Sequence, residues 1–145
     1  MKLSTKGRYG VRLMLDLAEH CDLGPVFLKD IAERQGISEK YLWQLISVLK
    51  NAGLVNSLRG AHGGYLLAKP SSEITLKDII FVLEGQICLV DCLDAPSQCK
   101  RAEMCVTRDV WREINDTISL TLEGLTLAKL VEKQKYKTET VLYSI

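Results

Sequence analysis

Two amphipathic segments joined by a tight turn constrain this chain more than any other feature. Residues 28–35 place Leu28, Ile31 and Ala32 on one side of a short helix, and Gly36 ends it. Ser38 can cap a second helix over residues 38–52, closed by Gly53. A helix, a short turn holding a glycine, and a second helix make the spacing of a helix-turn-helix. Projected at ~100° per residue, the second helix divides into two faces. Leu42, Leu45, Ile46 and Leu49 share one face, and Lys40, Trp43, Gln44, Ser47 and Asn51 share the other. The outward face therefore carries a cation, hydrogen-bonding groups and a large aromatic.

The residues directly after the second helix sharpen the motif. Two strand-like runs, residues 54–58 and 65–67, flank Arg59, Gly60, Ala61, His62, Gly63 and Gly64. Short strands around a glycine-rich, cationic tip predict a β-hairpin, and a hairpin directly after a helix-turn-helix is a wing. The glycines let the backbone approach a duplex closely, and Arg59 at the base is placed to enter a minor groove. His62 reads either as a phosphate contact or as a solvated loop residue.

The remaining elements complete a mainly α chain, a winged helix-turn-helix with a long dimerisation helix. Residues 4–21 form a helix with Tyr9, Leu13, Met14, Leu17 and Ala18 at helical spacing, capped by Ser4 or Thr5. Residues 22–27 hold a Gly-Pro turn signal, and a helix spans residues 75–83 before Gly85. Residues 86–101 lack periodicity. Residues 102–123 contain no Gly or Pro, and Trp111, Ile114, Ile118, Leu122 and Leu125 recur at three and four. Such a helix is roughly 33 Å long, more than a small domain needs, and reads as a helix crossing a second copy. A short helix succeeds it over residues 127–134. The expected organisation is a DNA-binding domain over residues 1–85, a cysteine-bearing loop over 86–105, dimerisation and return helices over 102–134, and a tail over 135–145.

Composition sets the outer bounds. The chain has 145 residues, 47% of them hydrophobic, with a formal net charge of +1, enough for one buried core and unlike a disordered chain. No apolar stretch approaches the ~20 residues of a membrane helix. The first residues have no apolar signal core, so a cytoplasmic protein is expected. The near-zero charge conceals an asymmetry. Residues 1–70 carry ten Lys/Arg against six Asp/Glu, and residues 71–145 carry nine against twelve. A basic first half fits a polyanionic partner. Phosphate-loop, dinucleotide, zinc-protease and nucleophile-elbow motifs are absent, so the chain does not read as an enzyme.

Five cysteines are unevenly placed. Cys21 stands alone and reads as a small buried hydrophobe, whereas Cys88, Cys92, Cys99 and Cys105 fall in one stretch. In a reducing compartment such a cluster points to metal binding or redox sensing before disulfides. Cys92, Cys99 and Cys105 are separated by six and five residues, a spacing that fits neither a zinc ribbon nor a ferredoxin run. Three thiols on a loop running into a helix can converge on one site. Iron–sulfur and zinc both remain open at this level. Lys100, Arg101 and Arg108 add positive charge, which favours thiolate over thiol.

Three motifs in order carry a resemblance to a known family: residues 2–9 (Lys2 to Tyr9), residues 37–42 (Ile37 to Leu42), and residues 54–66 with Arg59, Gly60, Gly63 and Gly64. Together they resemble the Rrf-type winged-helix transcription regulators, over residue 1 to about 134, and most nearly the branch that carries an iron–sulfur cluster. The resemblance implies a homodimer on a roughly palindromic double-stranded DNA operator. It implies Ser38, Lys40, Tyr41, Trp43 and Gln44 at the major groove, with Arg59, Gly60, His62, Gly63 and Gly64 of the wing at the minor groove. Gln44 suits adenine. Trp43 stands where the nearest branch usually has a glutamate, and an indole cannot accept from a cytosine amino group, so that branch's operator preference does not carry over. Cys92, Cys99 and Cys105 match that branch's three cluster cysteines, with a two-iron (2Fe-2S) cluster favoured over a four-iron (4Fe-4S) one. Arg108 occupies the position of the branch's histidine ligand and cannot ligate, which leaves Cys88, Asp109 or a partner-subunit residue as the fourth ligand. Nitric-oxide or thiol-redox sensing is the alternative within the family, and a metalloprotein that does not bind DNA is the alternative outside it.

Overall fold

The computed structural model describes residues 2–144. The chain order is α1 (Thr5–Glu19), α2 (Leu28–Gln35), α3 (Glu39–Asn51), β1 (Val55–Leu58), β2 (Gly64–Leu67), α4 (Leu76–Glu84), α5 (Asp91–Asp94), α6 (Val106–Glu123) and α7 (Leu127–Tyr143). The starts are set by local chemistry. The Ser4, Ser38 and Thr126 hydroxyls accept from the backbone N–H of Gly7, Tyr41 and Lys129, and Thr75 and Asp78 form a reciprocal capping box. Each such cap contributes about 1 kcal/mol. At Gly36, φ 63° and ψ 36° put the backbone in the left-handed region, which turns the chain from α2 into α3.

One face of each helix builds a single core. Leu13, Met14 and Leu17 from α1, Ile31 from α2, and Leu42, Leu45, Ile46 and Leu49 from α3 are buried together with Val55, Ile74, Ile79 and Leu127. β1 and β2 pair antiparallel, Val55 opposite Leu67 and Leu58 opposite Gly64. Residues 22–27 hold more than the expected turn. Val26 exchanges both backbone hydrogen bonds with Tyr65, at 2.9 and 2.8 Å, and so adds a one-residue bridge to β2. A single paired residue leaves no alternation for the sequence to display. Gly64 permits this approach, since a Cβ there would lie 2.6 Å from the Val26 carbonyl oxygen.

The second half departs from expectation in two places. α6 begins at Val106, so its 18 residues span roughly 27 Å. Ala102–Met104 is a separate single turn, and Cys105, at φ −90° and ψ 100°, breaks the helical run. α7 is longer than the expected short helix, and residues 135–143 are helical. Residues 132–140 are mostly charged or polar, so no apolar periodicity announced them. The last residue, Ile145, lies outside the described residues. Cys21 is exposed, its Sγ 3.8 Å from the Asp22 carboxylate; it lies just past the end of α1 in a short turn and misses the core. After α6 the chain returns to the winged-helix core: Leu76 N–H donates to the Leu125 carbonyl (2.7 Å), Leu127 N–H donates to that of Ile74 (2.9 Å), and Leu127 is fully buried.

Asp16 is the one buried charged residue among those described. Arg34 donates to it through Nε at 3.0 Å and through its terminal nitrogen at 2.6 Å, and Gln35 Nε2 donates at 2.9 Å. His20 Nδ1 is 3.4 Å away. Arg12 also reaches the Gln35 carbonyl and side chain. The network fastens the end of α2, and so the turn into α3, onto α1. Burial pushes the Asp16 carboxyl up, but the Arg34 and Gln35 hydrogen bonds and the Arg34 and His20 charges outweigh it and leave it below the usual carboxylate value. A folded-state value below the unfolded one contributes stability above the unfolded pKa, and that stability is lost as pH falls through the folded value. Asp16→Ala is expected to cost about 1–2 kcal/mol, discounted because Arg34 is partly exposed. Chemical denaturation against pH checks this: Asp16→Asn should flatten the acid limb of the stability curve, and an unchanged limb contradicts the assignment.

Candidate nucleic-acid interface and cysteine segment

Burial of the Leu42, Leu45, Ile46 and Leu49 face turns the other face of α3 to solvent. Lys40 and Gln44 are exposed, and Trp43 is 60% exposed, with its backbone carbonyl accepting from Ser47 Oγ at 2.7 Å. Ser38 is exposed while its hydroxyl caps the helix. Tyr41 sits differently. Its ring meets Tyr9 edge-on, centroids 6.0 Å apart, and the residue is half-buried against α1. Arg12 in turn lies over the Tyr9 ring at 5.4 Å. Tyr41, which the resemblance places at the major groove, is therefore partly taken up by its packing on Tyr9.

The wing brings together most of the residues expected at its tip. Arg59, Gly60, Ala61 and His62 are exposed beyond the last strand pair. Gly60 has φ 107°, a turn conformation that suits glycine. Gly63 is buried: its N–H donates to the Gly60 carbonyl at 3.0 Å, and a side chain there would meet the backbone of Arg59 and Gly60. Gly63 shapes the loop, and Arg59 and His62 present the polar groups. A groove between the start of α2, the start of α3 and β2 is lined by Phe27, Lys29, Glu39, Trp43 and Tyr65. Phe27 is 47% exposed there, beside Trp43. Nothing in the sequence marks Phe27 as part of this face, because it falls in a turn with no periodicity to assign its direction.

The cysteine segment is built from single turns. Cys92 lies in α5, Cys99 comes directly after the turn Pro96–Gln98, and Cys105 sits at the N-cap of α6. All five cysteines are free thiols. Cys88 donates to the Val90 carbonyl at 3.0 Å, and desolvation together with the neighbouring Asp94 carboxylate pushes its thiol up. Cys105 is opposite: the Thr107 hydroxyl, 3.2 Å away, and the Arg108 backbone N–H hold its thiol below the ordinary value, with Arg101 adding charge. Arg108 turns its side chain to the Cys92 carbonyl.

By donor chemistry, three free thiols flanked by cations suit an iron–sulfur cluster. By geometry they are not gathered: among the described residues no three His, Cys, Asp or Glu side chains lie together in a way that could hold a metal ion. The three cysteines stand on separate turns, and Arg108 is bonded to the backbone of one of them. The expectation that the loop brings them to one place is not met in this conformation.

Known proteins share this architecture. The Rrf2 family, described as iron-dependent transcriptional regulators, matches residues 3–133. Protein rrf2 of Nitratidesulfovibrio vulgaris is 45% identical over 131 residues, 90% of this chain and 87% of its own length. The transcriptional regulator CymR of Bacillus subtilis is 43% identical over 145 residues, the full length of both chains. Its solved structure, described as that of the global cysteine regulator, superposes with a TM-score of 0.79 at 44% identity, covering 92% of this chain and 98% of that one. The structure of T. potens IscR gives a TM-score of 0.75 at 47% identity, covering 92% and 88%. These relatives are regulators, and no helix of the chain is long and apolar enough to cross a membrane. The fold, the outward face of α3 and the cationic hairpin agree with that match, and the chain belongs to the Rrf2 family of winged-helix DNA-binding transcriptional regulators.

Proposed function

We propose that the chain acts as a homodimer on a two-fold DNA operator and that residues 88–105 are its effector site. The observation that carries the reading is the joint exposure of the outward face of α3 and the Arg59 tip, on a core that leaves neither free to fold inward. Lys40, Trp43 and Gln44 face the major groove, where Gln44 pairs with adenine and the Trp43 indole meets a thymine methyl. Arg59 and His62 take the minor groove and its phosphates. Ser38 and the exposed edge of Tyr41 contact the backbone, and Gly60 and Gly64 give the wing its shape.

Dimerisation is supported by α6. None of its 18 residues is buried, and Val106, Val110, Trp111 and Ile114 are exposed along one stripe. A stripe of that length on a helix with no buried residue fits the same stripe on a second copy. Two-fold symmetry then sets two α3 helices against half-sites about 34 Å apart.

The effector reading is an iron–sulfur cluster on Cys92, Cys99 and Cys105, supported by the donor set and by the likeness to IscR. Such a cluster, when bound, supplies a redox- and iron-dependent crosslink of the segment. A two-iron cluster is preferred, and cluster or iron metabolism is the corresponding class of target gene. A second reading, thiol oxidation without a cluster, is favoured by the dispersal of the thiols and by the full-length likeness to CymR.

Three measurements test these readings. Arg59→Ala should weaken operator binding about tenfold and lower the salt slope of log K by about 1. An unmoved affinity removes the wing contact. Ile114→Asp should give a monomer by sedimentation velocity with intact far-UV circular dichroism, and a persisting dimer refutes the α6 interface. Anaerobically isolated protein should contain iron and sulfide, and replacement of Cys92, Cys99 and Cys105 by Ala should abolish both while leaving the dimer. A colourless protein whose operator binding responds to peroxide identifies the thiol reading instead.

A further inference from the structure

Among the described residues ahead of α4, two aromatic side chains stand exposed, Phe27 and Trp43. Both line one groove, between the start of α2, the start of α3 and β2, with Tyr65 half-buried beside them. The direction of Phe27 is built into the backbone. Val26 is bonded to Tyr65 of β2 through both its backbone groups, and its side chain is buried. Phe27 follows in extended backbone, φ −75° and ψ 138°, so its side chain leaves on the opposite side. The Phe27 carbonyl accepts from the Asp30 N–H at 3.1 Å and the Ile31 N–H at 3.3 Å, which begins α2. Phe27 thus holds the N-cap position, yet it makes no side-chain cap bond. Serine, threonine, aspartate or asparagine would stabilise the helix there. The position is filled by a large side chain that neither caps the helix nor packs in the core.

We infer that Phe27 is a specificity-determining residue, the second wall of a notch with Trp43 that selects one thymine of each half-site by its 5-methyl group. The inference rests on the reading of the outward face of α3 as the major-groove surface. Covering exposed aromatic surface with an apolar group is favourable. In the major groove the 5-methyl of thymine is the apolar group that sets one base edge apart from the others. The charges around the notch disfavour the other part of a duplex, its phosphates. The Asp30 and Glu39 carboxylates line the groove against one cation, Lys29, so a phosphate drawn between the two rings meets net negative charge. A base edge is uncharged and meets no such repulsion. The indole alone covers one side of a methyl, and the phenyl ring on the neighbouring element covers another. Phe27 is tied to the wing through the Val26–Tyr65 bridge, and Trp43 is aimed by the buried face of α3, so the fold itself fixes both walls.

The test uses the full-length protein and a duplex that it selects from a random pool, with each thymine replaced in turn by deoxyuridine, which lacks only the methyl. In the parent protein one thymine per half-site should be sensitive, its replacement weakening binding about fourfold for one methyl group. Phe27→Ser should bind the thymine duplex more weakly than the parent does and should bind the thymine and uracil duplexes alike. Trp43→Ala should lose discrimination at the same thymine. Phe27→Ser should keep its far-UV circular dichroism and melting temperature, because the side chain removed is exposed and serine can cap α2. A parent protein indifferent to every uracil overturns the notch. Phe27→Ser weakening both duplexes equally, with discrimination retained, also overturns it, since Phe27 would then touch the backbone. Loss of discrimination at different thymines in the two variants overturns it as well, since the rings would then make separate contacts. Gln44→Ala separates the inference from the reading beneath it. If Gln44→Ala weakens binding while Phe27→Ser behaves as the parent does, the outward face of α3 stands and the notch falls. If Gln44→Ala, Trp43→Ala and Phe27→Ser all leave affinity unmoved, the reading of that face falls and the notch with it.

Discussion

Everything outward in this molecule depends on the burial of one face of α3. Leu42 and Leu49 are completely shielded and Leu45 and Ile46 nearly so. Each buried aliphatic side chain contributes roughly 1.5–3 kcal/mol, so rotating α3 by half a turn is prohibitively costly. The polar face is therefore outward by exclusion, and Lys40, Trp43 and Gln44 need no contacts of their own to be aimed. The same core extends into β1 through Val55, which fixes the wing relative to α3. Direction of the interface is thus a packing property, whereas its chemistry is a property of side chains that the packing leaves alone.

The Asp16 network adds angular definition that apolar packing lacks. Dispersion and burial tolerate small slides between helices, but Arg34 makes two bonds to one carboxylate, which fixes orientation as well as distance. Arg34 and Gln35 immediately precede the Gly36 turn. The polar contact accordingly sits at the hinge between the two helices of the motif, where a small tilt produces the largest displacement of α3.

Much of the winged helix was legible in the sequence because it is written in local signals. Ser38 caps, Gly36 turns, and four apolar residues at helical spacing define α3 to within a residue of its observed ends. The hairpin was legible because a Gly-rich tip lies between two short β-prone runs. The Val26–Tyr65 bridge, the burial of Gly63 and the docking of Tyr41 on Tyr9 were not, since each is a contact between distant residues with no local pattern. The start of α6 lies four residues beyond the expected one because absence of Gly and Pro permits a helix without starting one. The helical stretch over residues 135–143 was hidden for the opposite reason: its side chains are mostly solvated, and its backbone continues from a well-anchored start at Thr126 and Leu127. In the cysteine segment the spacing of the thiols was visible, but the partner of Arg108 was not, being set by the path of the backbone.

That path places the cysteine segment and the outward face of α3 at opposite ends of a contiguous stack. The segment touches α6, α6 packs on α4, and α4 packs on α1 and α3. Contiguity alone does not transmit a signal; one element must have two arrangements that both sites weigh differently. The close-packed core around Leu42 and Leu13 has no room for a second arrangement. α6 is less constrained, because none of its residues is fully buried within the chain and its neighbours on the cysteine side are single turns. In the dimer proposed above, effector coupling would enter through α6 and reach DNA by changing how the two copies of α3 are set relative to each other, with each winged helix moving as a rigid body.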